Sequence, residues 1–233
     1  MTAVKARQPM VTPSLTARPQ IKICGLTSPG EAEACARAGA DAIGLVSFPK
    51  SPRHVDDRQI RAITAVLPKN VCPVGVFVNE PFERIMKVVR VGGLRAVQLH
   101  GQETPALVEA LSAEGLIVIK ALFVNGNPNL DQAPRYPASA FLVECAGGRL
   151  PGGNAMQWDW SDARRLPGEQ PVVLAGGLTP DNIRQAIMDG NPDAVDVSSG
   201  VESMPGRKDI DKVIAFCRAV AACRKTDTRR VFA

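Results

Sequence analysis

Reactive side chains end two apolar runs of this 233-residue chain. Cys24 closes the run Ile21-Lys22-Ile23, and Glu144 closes the run Phe141-Leu142-Val143. A thiol and a carboxyl group are side chains that accept and donate protons in enzymes. The alternative is that Cys24 only packs in the core. Free cysteine is among the most buried residue types, so without further evidence this alternative is favoured. Whether Cys24 takes part in chemistry or only packs therefore depends on the direction in which its side chain points.

Two glycine-containing segments follow later apolar runs and are typical of phosphate binding. Gly176-Gly177 comes directly after the run 172–175, and Ser199-Gly200 comes soon after the run 194–197. Glycine lets backbone N–H groups approach a phosphate, and the start of a helix adds partial positive charge. A tight turn would also account for Gly176-Gly177. Two such loops after the last two apolar runs favour a phosphate site.

A basic loop with two prolines, residues 48–54, follows the second apolar run. Its Arg53 could hold a carboxylate or a phosphate through two parallel hydrogen bonds. The alternative is that the loop is a solvated connector.

These residues are carried by eight strand-like apolar runs spaced roughly 20 to 30 residues apart, which suits a strand, a helix and two loops. The runs are Ile21–Cys24, Ala42–Val46, Cys72–Val78, Arg95–Leu99, Leu116–Ala121, Ala140–Glu144, Val172–Ala175 and Ala194–Val197. Helical patterns fill most of the gaps, and the weakest of them lies near 129–133, bounded by proline.

Alternating strands and helices predict either a closed (β/α)8 barrel or an open doubly wound sheet. A dinucleotide-binding sheet places a G-x-G-x-x-G pattern after its first strand, and residues 24–30 lack this pattern. We therefore predict an α/β fold, a single-domain (β/α)8 TIM barrel over residues 21–223. Residues 1–20 and 224–233 are predicted to be flexible extensions.

The alternation of side chains along each strand indicates where the polar ones point. Lys22 and Cys24 share one face of the first strand, opposite Ile21 and Ile23. The same alternation separates further polar residues from β-branched or leucine neighbours, namely Gln98, His100, Lys120, Glu144 and Asp196. We predict that these polar side chains face the barrel interior, near the strand ends where barrel enzymes build their sites. For Lys22, an internal salt bridge to Asp196 and a substrate contact both stay open.

Composition excludes several classes of function. The net charge of +5 is scattered and only 4% of residues are aromatic, which predicts no nucleic-acid partner. The six cysteines form no C-x-x-C pair and the chain has two histidines, so we predict no metal site. No apolar run is long enough to span a membrane, and unpaired cysteines fit reduced thiols. We predict a cytoplasmic protein with no membrane partner.

Several segments, taken in chain order, resemble the phosphoribosylanthranilate isomerase family of tryptophan biosynthesis. The likeness runs from about Ile21 to Val220, nearly the whole chain apart from its ends. The segments are Lys22-Ile23-Cys24-Gly25, Phe48-Pro49-Lys50-Ser51-Pro52-Arg53, Val74-Gly75-Val76-Phe77-Val78-Asn79, Val97-Gln98-Leu99-His100-Gly101, Leu174-Ala175-Gly176-Gly177-Leu178 and Val195-Asp196-Val197-Ser198-Ser199-Gly200-Val201-Glu202. No single segment is specific, but the ordered set is.

The resemblance implies an Amadori rearrangement, without cofactor, of a phosphosugar substrate. N-(5-phosphoribosyl)anthranilate would become 1-(2-carboxyphenylamino)-1-deoxyribulose 5-phosphate. It implies that Cys24 is the general base and that Glu144 stands in the general-acid position. It also implies substrate contacts at Arg53, His100 and Asp196, and phosphate binding at Gly176, Gly177, Ser199 and Gly200.

The chain departs from the family pattern on the acid side of the expected pocket. The family has aspartate where this chain has Glu144, and the extra methylene moves the carboxyl by roughly 1 Å, a displacement that can cost about 100-fold in rate. Ala155 replaces a glycine of the following loop. Two alternatives therefore stay open: a related aldose–ketose isomerase with a shifted substrate, and a non-catalytic phosphosugar-binding protein. The oligomeric state is predicted only as monomer or homodimer.

Overall fold

Eight parallel strands close into a barrel in this computed structural model, which describes residues 18–146, 157–225 and 228–232. The strands are β1 (Gln20–Cys24), β2 (Ala42–Val46), β3 (Cys72–Phe77), β4 (Ala96–Leu99), β5 (Ile117–Phe123), β6 (Ala140–Glu144), β7 (Val172–Leu174) and β8 (Ala194–Val197). Each strand pairs with the next in the chain, and β1 also pairs with β8. This closed order confirms the predicted (β/α)8 barrel.

An α-helix follows each of the first four strands and each of the last two. These helices are α1 (Pro29–Ala38), α2 (Asp57–Thr64), α3 (Phe82–Gly92), α4 (Pro105–Ala113), α5 (Ile183–Gly190) and α6 (Ile210–Ala221). Ser28 and Thr104 cap α1 and α4 by accepting hydrogen bonds from backbone N–H groups, and a proline follows each cap. No helix in the described part of the chain is both long and apolar enough to cross a membrane.

The connections after β5 and β6 are 3-10 helices rather than α-helices. They are η1 (Leu130–Arg135) and η2 (Trp160–Arg165). Pro134 lies inside η1, and a proline cannot donate the hydrogen bond that an α-helix interior requires. The weak fifth helical pattern of the sequence therefore becomes a short 3-10 turn.

Apolar side chains form one layer inside the barrel and a second layer between the strands and the helices. Ile119 and Ala121 of β5 belong to the inner layer, whereas Val118 and Leu122 belong to the outer one. Lys120 shares the outer face, where its Nζ lies 2.9 Å from Glu103 Oε2. The prediction that Lys120 faces the barrel interior is therefore wrong. Both faces of a parallel barrel strand are buried, so an apolar pattern alone does not tell them apart.

The carboxyl end of the chain closes the amino-terminal opening of the barrel, whereas we expected residues 224–233 to be a flexible tail. Val231 and Phe232 are buried in the inner apolar layer. Small residues begin several strands there and leave room for the two side chains: Ala42, Cys72, Ala96, Ala140 and Ala194. Gln20 Nε2 donates to the Phe232 carbonyl at 2.7 Å, and its Oε1 accepts from the N–H groups of Val231 and Phe232.

The same opening is flanked by two ion pairs that tie the chain ends to the barrel. Arg18 lies 2.7 Å from Asp41, and Arg229 lies 3.0 Å from Asp193. Of the extension predicted for residues 1–20, only Arg18 to Gln20 are among the described residues, and Gln20 already belongs to β1.

Candidate active site

Cys24 is the last residue of β1, and its thiol points into the carboxyl-terminal mouth of the barrel. The side chain is buried and sits against Gly44 of β2, which has no side chain to displace it. Lys22 is two residues earlier on the same strand face, and its ammonium group also lies against Gly44. The structure therefore brings a thiol and an ammonium group together at the end of β1, as the strand phase predicted.

Lys22 forms a buried ion pair with Asp196. The two residues are direct partners across the β1–β8 pairing, and Lys22 Nζ lies 2.9 Å from Asp196 Oδ1. Burial acts to lower the pKa of Lys22, but the charges of Asp196 and Cys24 outweigh it and raise that pKa. The internal salt bridge is thus present, and it keeps Lys22 cationic beside the thiol.

Burial dominates the acid–base behaviour of Cys24. Desolvation raises the pKa of the thiol above its usual value, and Asp196 acts in the same direction. The positive charges of Lys22 and Lys208 act against this rise. Cys24 therefore rests as a thiol at neutral pH, and its two cationic neighbours favour the thiolate that a base requires.

Arg53 reaches the same region from the loop after β2. Its Nε and Nη2 donate to the two carboxylate oxygens of Glu202 at 2.8 and 2.7 Å. Gly25 allows this approach, because a Cβ on Gly25 would lie 2.5 Å from Arg53 Cδ. The pair with Glu202 uses two of the five guanidinium N–H donors and leaves the others for a ligand.

Glu202 also binds Lys208, a residue that the sequence reasoning missed. Glu202 begins β9 (Glu202–Met204), and Lys208 ends its partner strand β10 (Arg207–Lys208). Lys208 Nζ lies 2.7 Å from Glu202 Oε1 and donates to the Ser198 carbonyl at 3.1 Å. Burial acts to raise the pKa of Glu202, but its bonds from Arg53 and Lys208 lower it. No sequence pattern pointed to Lys208, because a short hairpin brings it back to the residues that follow β8.

Glu144 ends β6 on the far side of the barrel mouth from Cys24. Its Oε1 lies 3.1 Å from Nε2 of His100, which follows β4 directly. The other imidazole nitrogen, Nδ1, lies 3.0 Å from Nε2 of Gln98. Glu144, His100 and Gln98 are all buried, so a row of three polar groups lines the interior as the strand phase predicted.

The two loops predicted to bind phosphate touch each other. Gly176 and Gly177 both have positive φ, of 88° and 67°, which favours glycine. Gly200 lies in η3 (Ser199–Val201) and contacts the Leu178 carbonyl so closely that a Cβ on Gly200 would overlap it. The turns after β7 and β8 therefore form one surface of backbone groups beside the barrel mouth.

Two tryptophans, which the sequence reasoning did not single out, hold the first of these turns. Trp158 Nε1 donates to the Ala175 carbonyl at 2.9 Å, and Trp160 Nε1 donates to the Gly176 carbonyl at 3.2 Å. A Cβ on Gly176 would also lie 2.7 Å from Trp158 Nε1. The loop in which Ala155 replaces a glycine lies outside the described residues.

The site thus joins the predicted residues of strands β1, β6 and β8 with the loops after β2, β7 and β8. Within residues 18–146, 157–225 and 228–232, no group of three or more His, Cys, Asp or Glu side chains could hold a metal ion. The arrangement places a thiol and a carboxyl group on opposite sides of the barrel mouth, with glycine turns beside it.

Comparison with known proteins places this arrangement in a family. The family model described as N-(5'-phosphoribosyl)anthranilate (PRA) isomerase matches residues 21–219. The N-(5'-phosphoribosyl)anthranilate isomerase of Desulfatibacillum aliphaticivorans is 52% identical over 197 residues, covering 84% of this chain and 90% of that protein. The crystal structure of phosphoribosyl anthranilate isomerase from Thermotoga maritima is 39% identical with a TM-score of 0.80, covering 88% of this chain and all of that one.

A further crystal structure, also of a phosphoribosyl anthranilate isomerase, contains a ligand. It is phosphoribosyl anthranilate isomerase in complex with reduced 1-(o-carboxyphenylamino)-1-deoxyribulose 5-phosphate. It is 38% identical to this chain with a TM-score of 0.76, and it covers 88% of this chain and 100% of its own.

Proposed function

The chain belongs to the N-(5'-phosphoribosyl)anthranilate isomerase family and is an isomerase of tryptophan biosynthesis, and we propose that Cys24 is its general base and Glu144 its general acid. The observation that carries the assignment is their placement. Both groups end strands at the carboxyl-terminal mouth of the barrel, and β7 and β8 separate β6 from β1 on one side. A sugar bound at the barrel mouth would therefore contact the thiol on one side and the carboxyl group on the other.

The reaction needs a proton donor and a proton acceptor at different atoms of the sugar. Glu144 gives its proton to the furanose ring oxygen, the bond from that oxygen to C1 breaks, and the anthranilate nitrogen forms a double bond to C1. The Cys24 thiolate then removes the proton from C2, and the electrons of that bond form an enolamine. A proton then adds to C1 while the C2 hydroxyl loses its proton and becomes the ketone, which yields the aminoketose, so atoms and charge balance without an external oxidant.

Lys22 and Lys208 support the base in this scheme. The pKa of Cys24 is raised by burial, and both ammonium groups favour its thiolate form. Lys22 is held by Asp196 and Lys208 by Glu202, each across a short ion pair. We assign Asp196 to this supporting role as well as to the substrate contact that the resemblance implies.

The remaining groups hold the two anionic ends of the substrate. The backbone of Gly176, Gly177, Ser199 and Gly200 receives the phosphate, since the turns after β7 and β8 meet there and glycines admit close approach. Arg53 receives the anthranilate carboxylate through the guanidinium donors that Glu202 does not use. The cytoplasmic location and the choice between monomer and homodimer stay predictions.

Steady-state turnover of phosphoribosylanthranilate, followed by the loss of its fluorescence, tests the assignment. We expect Cys24→Ser and Glu144→Gln each to lower kcat by about 100-fold or more, because each removes one partner of the proton transfers. Cys223→Ser is the matched control, because Cys223 lies at the end of α6, remote from the barrel mouth, and a serine can keep its bond to the Ala219 carbonyl. Full turnover by Cys24→Ser or by Glu144→Gln would remove that residue from its role.

A further inference from the structure

Gln98, His100 and Glu144 form a chain of hydrogen bonds across the barrel interior. The Gln98 amide nitrogen lies 3.0 Å from His100 Nδ1, and His100 Nε2 lies 3.1 Å from Glu144 Oε1. All three side chains are at least nine-tenths buried, with exposed fractions of 2%, 5% and 6%. Buried polar groups in such a chain restrict one another, because each must satisfy its neighbour.

We propose that His100 is a positioning residue that acts through Glu144 rather than by touching the substrate, and that Gln98 fixes its tautomer. In the orientation that the Gln98 amide has in this structure, its nitrogen faces His100 Nδ1, and an amide nitrogen only donates hydrogen bonds, so Nδ1 accepts the bond from Gln98. A neutral imidazole then carries its single proton on Nε2, which donates to Glu144 Oε1. The inference rests on the proposed role of Glu144 as the general acid.

The chain of bonds determines which carboxyl oxygen delivers the proton. Glu144 Oε1 already accepts a hydrogen bond from His100, so the transferable proton of the acid belongs on Oε2. After that proton leaves for the ring oxygen, the His100 N–H stabilises the carboxylate that remains. His100 thus both aims the acid and stabilises its product form.

The ion pair of Lys120 and Glu103, which lies on the outer face of the strands, holds the backbone around His100 in place. Lys120 Nζ donates to the carbonyls of Leu99 and Gly101, on either side of His100, at 3.2 and 2.8 Å. Glu103 completes the clamp by binding Lys120 at 2.9 Å and the Gly101 N–H. On the inner side, the ring of Phe123 meets the imidazole edge to face, with centroids 5.6 Å apart. The backbone on either side of His100 is therefore held on the outer face of the strands, and the imidazole ring is held on the inner face.

Nitrogen NMR of the imidazoles tests the tautomer directly in the full chain. Only His54 and His100 contribute signals, and a His54→Gln variant assigns them. We expect His100 to carry its proton on Nε2 in the parent, and Gln98→Leu to lose this preference. A parent His100 protonated on Nδ1 would overturn the proposal, because Nε2 would then accept a hydrogen bond from the Glu144 carboxyl and could not donate one to it.

Kinetics test the positioning role with two substitutions of the same residue. His100→Ala should lower kcat by about 100-fold with little change in KM, as expected for an acid displaced by roughly 1 Å. His100→Gln places an amide N–H near the position of Nε2 and should recover at least about tenfold of that loss, on the same scale. Thermal melts of both variants check that the barrel is folded.

Two results separate failure of this proposal from failure of the acid assignment. Loss of turnover in Glu144→Gln together with parental kcat in His100→Ala would overturn the role of His100 alone. Parental kcat in Glu144→Gln would remove Glu144 as the acid, and with it the role of His100. A large rise in KM shared by His100→Ala and His100→Gln would also overturn the proposal, since it indicates direct contact with the substrate.

Discussion

Gly44→Ala tests whether catalysis depends on the exact seat of the Cys24 thiol. Gly44 lies on β2 beside the end of β1, and its Cα is the register partner of Cys24. A Cβ there would lie 2.7 Å from Cys24 Sγ, 3.0 Å from Cys24 Cα and 3.0 Å from Lys22 Nζ. Because one contact is to the Cys24 backbone, rotation of the thiol alone cannot relieve the overlap.

The geometry sets the size of the effect. Non-bonded atoms reach their favourable separation near 3.5 Å, so the thiol must retreat by about 0.8 Å. A displacement of about 1 Å at a reacting group costs on the order of 100-fold in rate, so we expect kcat to fall between about 10-fold and 100-fold. Overpacking of a core also costs roughly 1–3 kcal/mol of folding free energy.

The assay combines turnover of phosphoribosylanthranilate with urea denaturation of the same protein. Gly30→Ala is the matched control, because a Cβ on Gly30 in α1 meets nothing within 4 Å and should leave kcat unchanged. The control should be at least as stable as the parent, since alanine suits a helix better than glycine. Parental kcat in a folded Gly44→Ala variant would refute the argument that the thiol position limits the rate.

Three further predictions follow from the buried charges and from the closed end of the barrel. Because burial raises the pKa of Cys24, its thiolate becomes more populated as pH rises, and the rate of Cys24 alkylation by iodoacetamide, read on its peptide by mass spectrometry, should climb from neutral into alkaline pH; an alkylation rate independent of pH in a folded protein would contradict a raised thiol pKa. Lys22→Met leaves Asp196 buried without its partner and should cost about 3–5 kcal/mol in urea denaturation, whereas a double variant with Asp196→Leu should regain much of that stability but not turnover. Phe232→Ala should cost about 3–5 kcal/mol while kcat at low temperature stays parental; unchanged stability would show that the carboxyl end does not seal the barrel.

The sequence pattern predicted the barrel and the strand face of most residues at its mouth. Eight apolar runs at strand-plus-helix spacing allow few architectures, and caps such as Ser28-Pro29 mark where helices begin. Period-two alternation also placed Cys24, Glu144 and Asp196 correctly, because each sits on the same strand face as small or polar residues of the inner layer.

Lys120 shows where this reasoning stops. On β5 both faces are apolar, so the pattern Ile117 to Phe123 does not distinguish the helix side from the inside. The partner that settles the matter, Glu103, lies on the loop after the preceding strand, and only the closed barrel brings the two together. The same limit hid Lys208, whose approach to Glu202 depends on the turn of a short hairpin.

The carboxyl end of the chain shows the same limit of sequence reasoning. Val231 and Phe232 follow a polar, basic stretch and carry no periodic signal of their own. Their burial depends on an opening ringed by small strand-starting residues and on a Gln20 amide that binds their backbone. Local sequence thus determines which strands and helices form and which side chains share a strand face. Only the tertiary structure decides which face points inward and what fills the open end, since both depend on residues far apart in the chain.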